Sequence, residues 1–169
     1  MQLVKYNQIN ESSYNEYIKE WEDLKETVIP WASQRHFPDF KMIQNKWNDD
    51  TTDKAYDIGF VPSTLYFLID NENKIVGSIH LRHELNDNLL IEGGHIGYGV
   101  KPSERRKGYA SIMLELLLDD LRHSKWKKVL ITCNSENKGS INAILKNNGV
   151  FDKTIEYNGN LVNHYWIYL

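Results

Sequence analysis

Arg105, Arg106 and Lys107 stand directly before Gly108, and the apolar run from Ile112 to Leu118 follows. A helix opening at Gly108 would present N–H groups with no intrahelical acceptor and the positive end of its dipole. Phosphates bind to that combination. Gly108 and the small Ala110 would let a ligand approach the backbone of the first turn. The same three cations would also suit a solvated loop, with Gly108 only permitting the turn. Gly97 and Gly99 lie just upstream in a segment that reads as a strand, where glycine weakens pairing unless a ligand or another backbone comes close. An elongated anion, with phosphates at the helix and an arm along the strand, satisfies both features. Familiar nucleotide loops do not fit. Gly94 and Gly99 are followed by Val100 and Lys101 where a Walker loop needs Lys and Ser or Thr, and Pro102 replaces the third glycine of a dinucleotide fingerprint.

The periodicity around this junction supplies the elements that must position it. A short strand at Leu3 to Tyr6 precedes a helix with Tyr14, Tyr17, Ile18, Trp21, Leu24 and Val28 at helical spacing, capped at Ser12 or Ser13 with Glu16 completing a capping box. Phe40, Ile43 and Trp47 mark a second helix. From Pro62 the period changes, and "STLYFLID" and "KIVGSIHLRHEL" form a hairpin turning at Asn71 to Asn73. "EGGHIGYGV" reads as the next strand. The helix after Gly108 is apolar around most of its circumference, so it must be covered on several sides. Then come a strand "KKVLITCN", a helix "NKGSINAILKNNG", and two closing strands joined at Asn158-Gly159, a strong hairpin turn.

With 169 residues, the sequence predicts a single domain over residues 1–169. A net charge of −3 argues against nucleic acid as the main partner, and "KWKK" at Lys125 to Lys128 is a local cluster. No apolar run approaches the roughly 20 residues needed to span a bilayer, and the N-terminus has no signal-peptide core. Those two readings predict no membrane partner and a cytoplasmic protein. Cys133, the one cysteine, sits in an apolar strand and reads as a small core side chain. His80 and His83 fall on opposite strand faces, so no metal site is predicted. Arg82 and Glu84 share the His80 face, beside an acceptor site or as exposed strand charge. Trp21, Trp31, Phe37, Phe40, Trp47 and Tyr56 would wall an acceptor pocket near Asp49, Asp50 and Asp53, or pack helices on the sheet.

"VKPSERRKGYA" resembles motif A of the GNAT superfamily of N-acetyltransferases, with Arg105, Gly108 and Ala110 in its defining places. The element order resembles the superfamily over most of the chain. The resemblance implies an α/β fold with a mixed, mostly antiparallel central sheet flanked by helices, and acetyl-coenzyme A (acetyl-CoA) as acetyl donor. Its pyrophosphate is expected on the amides of Arg106, Lys107, Gly108, Tyr109 and Ala110, with Arg105 alongside. Its pantetheine arm is expected along the strand edge at Tyr98, Gly99 and Val100. In "NSENKGSINAIL", Asn137 and Ser140 match the superfamily's Asn-x-x-Ser/Ala, where the Asn contacts the cofactor arm; here Ser135 or Asn137 would also cap the helix.

Acetyl transfer needs a neutral amine, while a free alkylamine has a pKa of about 10.4, so a base helps. The resemblance places His95 where many members have a catalytic Glu, and a histidine titrates near neutrality. It also leaves His95 free merely to order the strand. Glu92 is the reserve base, and the Val100 amide the expected oxyanion donor. Members usually carry a tyrosine acid midway along the later helix, but Ala143, Ile144 and Leu145 stand there. Tyr98, Tyr109, Tyr165 or solvent would take that role. Direct transfer to a primary amine of a small molecule or peptide is expected, from a monomer or homodimer. A catalytically silent acyl-CoA sensor or interaction module would keep Arg105 to Ala110 and lose base and acid. A module for another phosphate ligand is the further alternative, and the failed loop motifs weigh against it.

Overall fold

The computed structural model describes residues 1–169. Every strand pairing in it is antiparallel, and the pairings divide into two sheets. Strands β1 (Gln2–Lys5), β2 (Ser63–Ile69), β3 (Ile75–Arg82) and β4 (Ile96–Val100) lie in that order in the first. In the second, β7 (Asn160–Tyr168) lies between β5 (Lys128–Asn134) and β6 (Val150–Tyr157). The expected α/β architecture is present. The central sheet, however, is split where β4 and β5 would have met.

Helix α1 (Glu11–Asp23) buries Tyr14, Tyr17, Ile18 and Trp21 at the predicted spacing, but its cap is Asn10, whose side chain accepts the Ser13 N–H at 2.9 Å. Asn10 has the extended backbone that a cap requires, two or three residues earlier than the expected serine. The helix also stops before Val28, with Lys25 in the left-handed region. Helix α2 (Phe40–Asp49), capped by Asp39, packs Ile43 and Trp47 with α1 against Phe67 of β2. The short helices α3 (Lys54–Asp57) and α4 (Asp87–Ile91) lie on the connections before β2 and after β3. The latter corrects the reading of "EGGHIGYGV" as one strand. Gly93 and Gly94 both take positive φ and turn the chain from α4 into β4, which begins only at Ile96.

Helix α5 (Tyr109–Arg122) explains its apolar circumference by its position. Met113, Leu114, Leu117 and Leu118 are wholly buried among Val76 and Ile79 of the first sheet, Val129 and Ile167 of the second, and Ile144 of α6 (Lys138–Lys146). Each such leucine contributes about 1.5–3 kcal/mol by leaving water. Asn147, buried just after α6, donates to the Ser111 and Ala143 carbonyls and locks α6 to the first turn of α5. The two sheets are thus held around one helix while β4 and β5 diverge.

Candidate active site

The gap between β4 and β5 is built by alternation along β4. His95 O accepts from Arg82 N–H at 2.8 Å and the Lys101 N–H donates to Val76 O at 2.9 Å, so the odd-numbered residues face β3. Tyr98 and Val100 therefore turn their N–H and C=O groups to the open edge. The gap continues to the start of α5, where Arg106 and Gly108 take φ of 63° and 84°. No N–H from Arg106 to Ser111 has a main-chain acceptor; the first turn closes only with Ile112 N–H on Gly108 O. A cavity of about 660 Å³ lies over these donors, with Asn137, Ser140, Asn142 and Lys146 on its α6 side.

The three motif cations do not act alike. Arg105 lines this cavity, but its guanidinium pairs with Glu26 at 2.5 Å, donates to Val100 O at 3.3 Å and lies over the Trp21 ring. The Lys107 side chain pairs with Glu104 at 2.9 Å and does not line the cavity, so only its main-chain N–H belongs to the row of free donors. Arg106 lines the cavity without a carboxylate partner. Lys146, which the sequence reading missed, supplies a second free cation. The signal was available: Gly139, Asn142, Ala143 and Lys146 repeat at three- and four-residue steps, one face of α6.

Gly97 and Gly99 were expected to admit a ligand, but the structure gives Gly99 a different reason. A β-carbon there would sit 2.1 Å from the Ile29 carbonyl oxygen, because residues 28–31 cross β4 at that point. Asn137 caps α6, its Oδ1 accepting Ser140 N–H at 3.0 Å, and the residue also lines the cavity. Tyr98 hydroxyl lies 2.8 Å from Ser140 Oγ and donates within 3.3 Å of the Ser140 carbonyl, and burial pushes its pKa up to about 12. Tyr165 is buried in the core instead.

His95 is not placed to act as a base. Its ring packs beside Trp126 and Trp166, and its Nδ1 accepts the Leu130 N–H at 2.8 Å while the main-chain N–H of His95 donates to Leu130 O at 2.7 Å. It joins the two sheets just where they begin to part, and it lines none of the three main cavities. Burial first, then the Arg82 charge, pulls its pKa down to about 4. A histidine whose folded pKa is depressed stabilises above its free value of 6.5, and that contribution is lost as pH falls toward 4. Melting temperature should therefore drop across that interval, and less steeply in His95→Asn, which retains an acceptor for Leu130. His95→Leu, lacking one, should be destabilised at neutral pH.

A second cavity adjoins the first, and a third adjoins the second. The second, of about 380 Å³, shares Tyr98, Asn137 and Ser140 with the first and adds Glu92, Thr132 and Cys133. Cys133 is thus half-buried at a cavity rather than sealed in the core, and burial raises its thiol pKa. The third, of about 270 Å³, shares Trp31 and Arg82 with the second and is lined by Lys46, Asp50, Phe60 and His80. Of the aromatics expected at an acceptor pocket, Trp31 lines this one, whereas Trp21 and Trp47 are core and Phe37 and Phe40 pack against it. Tyr56 is exposed and donates to Glu84 at 2.9 Å, which removes Glu84 from the His80 cavity.

Residues 15–150 match the family model described as the acetyltransferase (GNAT) domain. The chain belongs to the GNAT family. Its fold is shared with a spermidine N-acetyltransferase from Vibrio cholerae, solved as a dodecamer, at 15% identity and a TM-score of 0.65, over 99% of this chain and 92% of that one. RimL, a ribosomal L7/L12 α-N-protein acetyltransferase solved with coenzyme A in a disulfide to a cysteine, is 17% identical with a TM-score of 0.66, covering 99% and 93%. A ribosomal-protein-S5-alanine acetyltransferase from Vibrio fischeri is 13% identical with a TM-score of 0.68, covering 99% and 92%. No curated protein matches the sequence. As a GNAT protein the chain is an N-acetyltransferase, and the family takes its acetyl group from acetyl-CoA. No helix is long and apolar enough to cross a membrane.

Proposed function

We propose that this GNAT chain binds acetyl-CoA in the cleft between β4 and α6 and passes the acetyl group directly to a primary amine. The row of acceptor-less N–H groups from Arg106 to Ser111 beside the open edge of β4 carries this reading. These donors, with Arg106 and Lys146, suit the diphosphate, and the Tyr98 N–H and C=O and the Val100 N–H on the open edge of β4 suit an amide-bearing arm. When bound, acetyl-CoA supplies an activated thioester.

The chain's own groups do the rest. The Val100 N–H, fixed by pairing of its neighbours with β3, is the donor for negative charge that develops on the acetyl oxygen. Tyr98 Oη, held by Ser140, stays protonated at neutral pH and lies on the wall shared by the first two cavities, so it is the proton donor for the departing sulfur. Glu92, on the wall of the second cavity, accepts the amine proton through water. Cys133 holds its proton, in keeping with transfer that forms no acetyl-cysteine.

Heat denaturation with acetyl-CoA, ATP and NAD in parallel tests the reading: protection by acetyl-CoA alone supports it, and no protection at saturation rejects it. Tyr98→Phe should lower kcat on the order of 10²-fold with little change in KM for acetyl-CoA. An unchanged kcat would remove Tyr98 as the acid.

A further inference from the structure

The third cavity and the wall it shares with the second carry information about the acceptor. Arg82 stands in that wall, half-buried, with Nη1 donating to the carbonyls of Gly93 and Gly94 at 3.0 and 3.1 Å. It makes no ion pair, and its Nε and Nη2 donate to nothing in the chain. A half-buried guanidinium with free donors at a cavity wall is a ready partner for a carboxylate. The other charges nearby do not supply one. Asp50 is taken by Lys46 at 2.5 Å, with both side chains about 15% exposed or less. His80 faces the same cavity without a hydrogen-bond partner, and burial, Arg82 and Lys46 pull its pKa down to about 3, so it stays neutral. The cavity wall therefore has one uncompensated positive charge. The same cavity is lined by Trp31 and Phe60, which pack at 5.3 Å between ring centres, and by Val61 and Leu89, which add apolar surface.

We infer, resting on the acetyltransferase reading, that the acceptor is a small α-amino acid with an apolar side chain, its carboxylate held by the free donors of Arg82. The carboxylate and the amine of such a molecule are only two bonds apart on one carbon. Arg82 borders both cavities, so a carboxylate against it leaves the amine on the Tyr98 and Glu92 side and the apolar body toward Trp31 and Phe60. A volume of about 270 Å³ suits a molecule of that size. A polyamine would bring its cations against the unpaired Arg82 and leave the apolar surface facing charge. In the transfer, the new N–C amide bond forms as the thioester C–S bond breaks; the amine gives up one proton and coenzyme A leaves as the thiol.

The experiment compares initial rates of coenzyme A thiol release at saturating acetyl-CoA for leucine, phenylalanine, their carboxamides and spermidine, with acetyl-CoA protection against heat measured on the same preparation. The amide's amine is the less basic one, so chemistry favours the amide and any preference for the acid comes from the site. The acids should exceed their amides in kcat/KM on the order of ten- to a hundred-fold, as expected for a charge-assisted pair, with spermidine inert. Arg82→Gln should shrink that ratio, mainly through KM for the acid, and Arg82→Lys should restore part of it. Should Arg82→Gln fail to fold, the acid-to-amide ratio of the unaltered protein decides alone. Amides equal to acids, spermidine preferred, or no acid turned over while acetyl-CoA protects, each overturns the inference and leaves the acetyltransferase reading standing. Absence of acetyl-CoA protection overturns both.

Discussion

Replacing Gly108 with aspartate should leave a folded protein that acetyl-CoA no longer protects against heat. A β-carbon at Gly108 meets nothing within 4 Å, so the substitution clashes with no neighbour. Its φ of 84° is left-handed, which costs about 1–3 kcal/mol for a residue with a side chain, and aspartate tolerates that region better than most. The new carboxylate would stand among N–H groups that have no acceptor in the chain, occupying them and repelling a diphosphate. The unaltered protein with ligand at 100 times its dissociation constant gains about 2.7 kcal/mol, which is roughly 5–10 °C for a chain of this length. Gly108→Ala carries the backbone strain without the charge and should keep most of the protection. Equal protection of the aspartate variant would move the anion site away from the start of α5.

The largest loss of stability expected from adding one methyl group is at Gly99. Its β-carbon would lie 2.1 Å from the Ile29 carbonyl oxygen and 2.8 Å from the Ile29 carbonyl carbon, and these are backbone atoms that cannot rotate away. Gly99→Ala must therefore push residues 28–31 off β4, at about 3 kcal/mol or more, read as a lower midpoint in urea unfolding. Gly97→Ala is the control, since its nearest neighbours lie at 3.8 Å and it should cost much less. Two glycines in one strand would then differ sharply. Equal, small effects at both would show that the crossing loop is not fixed where the structure has it.

The difference between those glycines also shows what the sequence could and could not reveal. Helix α5 and its preceding cations were legible because the signals are local: an apolar periodicity, a glycine at a left-handed start, and donors that any helix end must leave open. Gly99 was legible as an unusual residue but not in its cause, since the backbone it accommodates lies 70 residues away in the chain. The choice between the two readings of His95 was hidden for the same reason. The family resemblance suggested a base, whereas Leu130, across the split between the sheets, is what its ring serves. The split itself has no local signal, because β4 and β5 each read as ordinary strands. Arg82 shared a face with His80 as parity requires, yet nothing local announces that it lacks a carboxylate partner or that Glu84 is diverted to Tyr56. Lys107 was legible as a cation and not as one already neutralised by Glu104.

The segment that crosses β4 has two duties at once. Ile29 borders the first cavity and Trp31 the third, with Pro30 and both neighbours on the second. Any change that reshapes this crossing to suit a new acceptor also alters the wall against which the acetyl donor is bound. Room for diversifying substrate choice lies instead at Phe60 and Leu89, which border the third cavity alone. An engineer seeking altered selectivity should begin at those two positions, and a combinatorial library that randomises the crossing would be expected to yield mostly variants with weakened donor affinity.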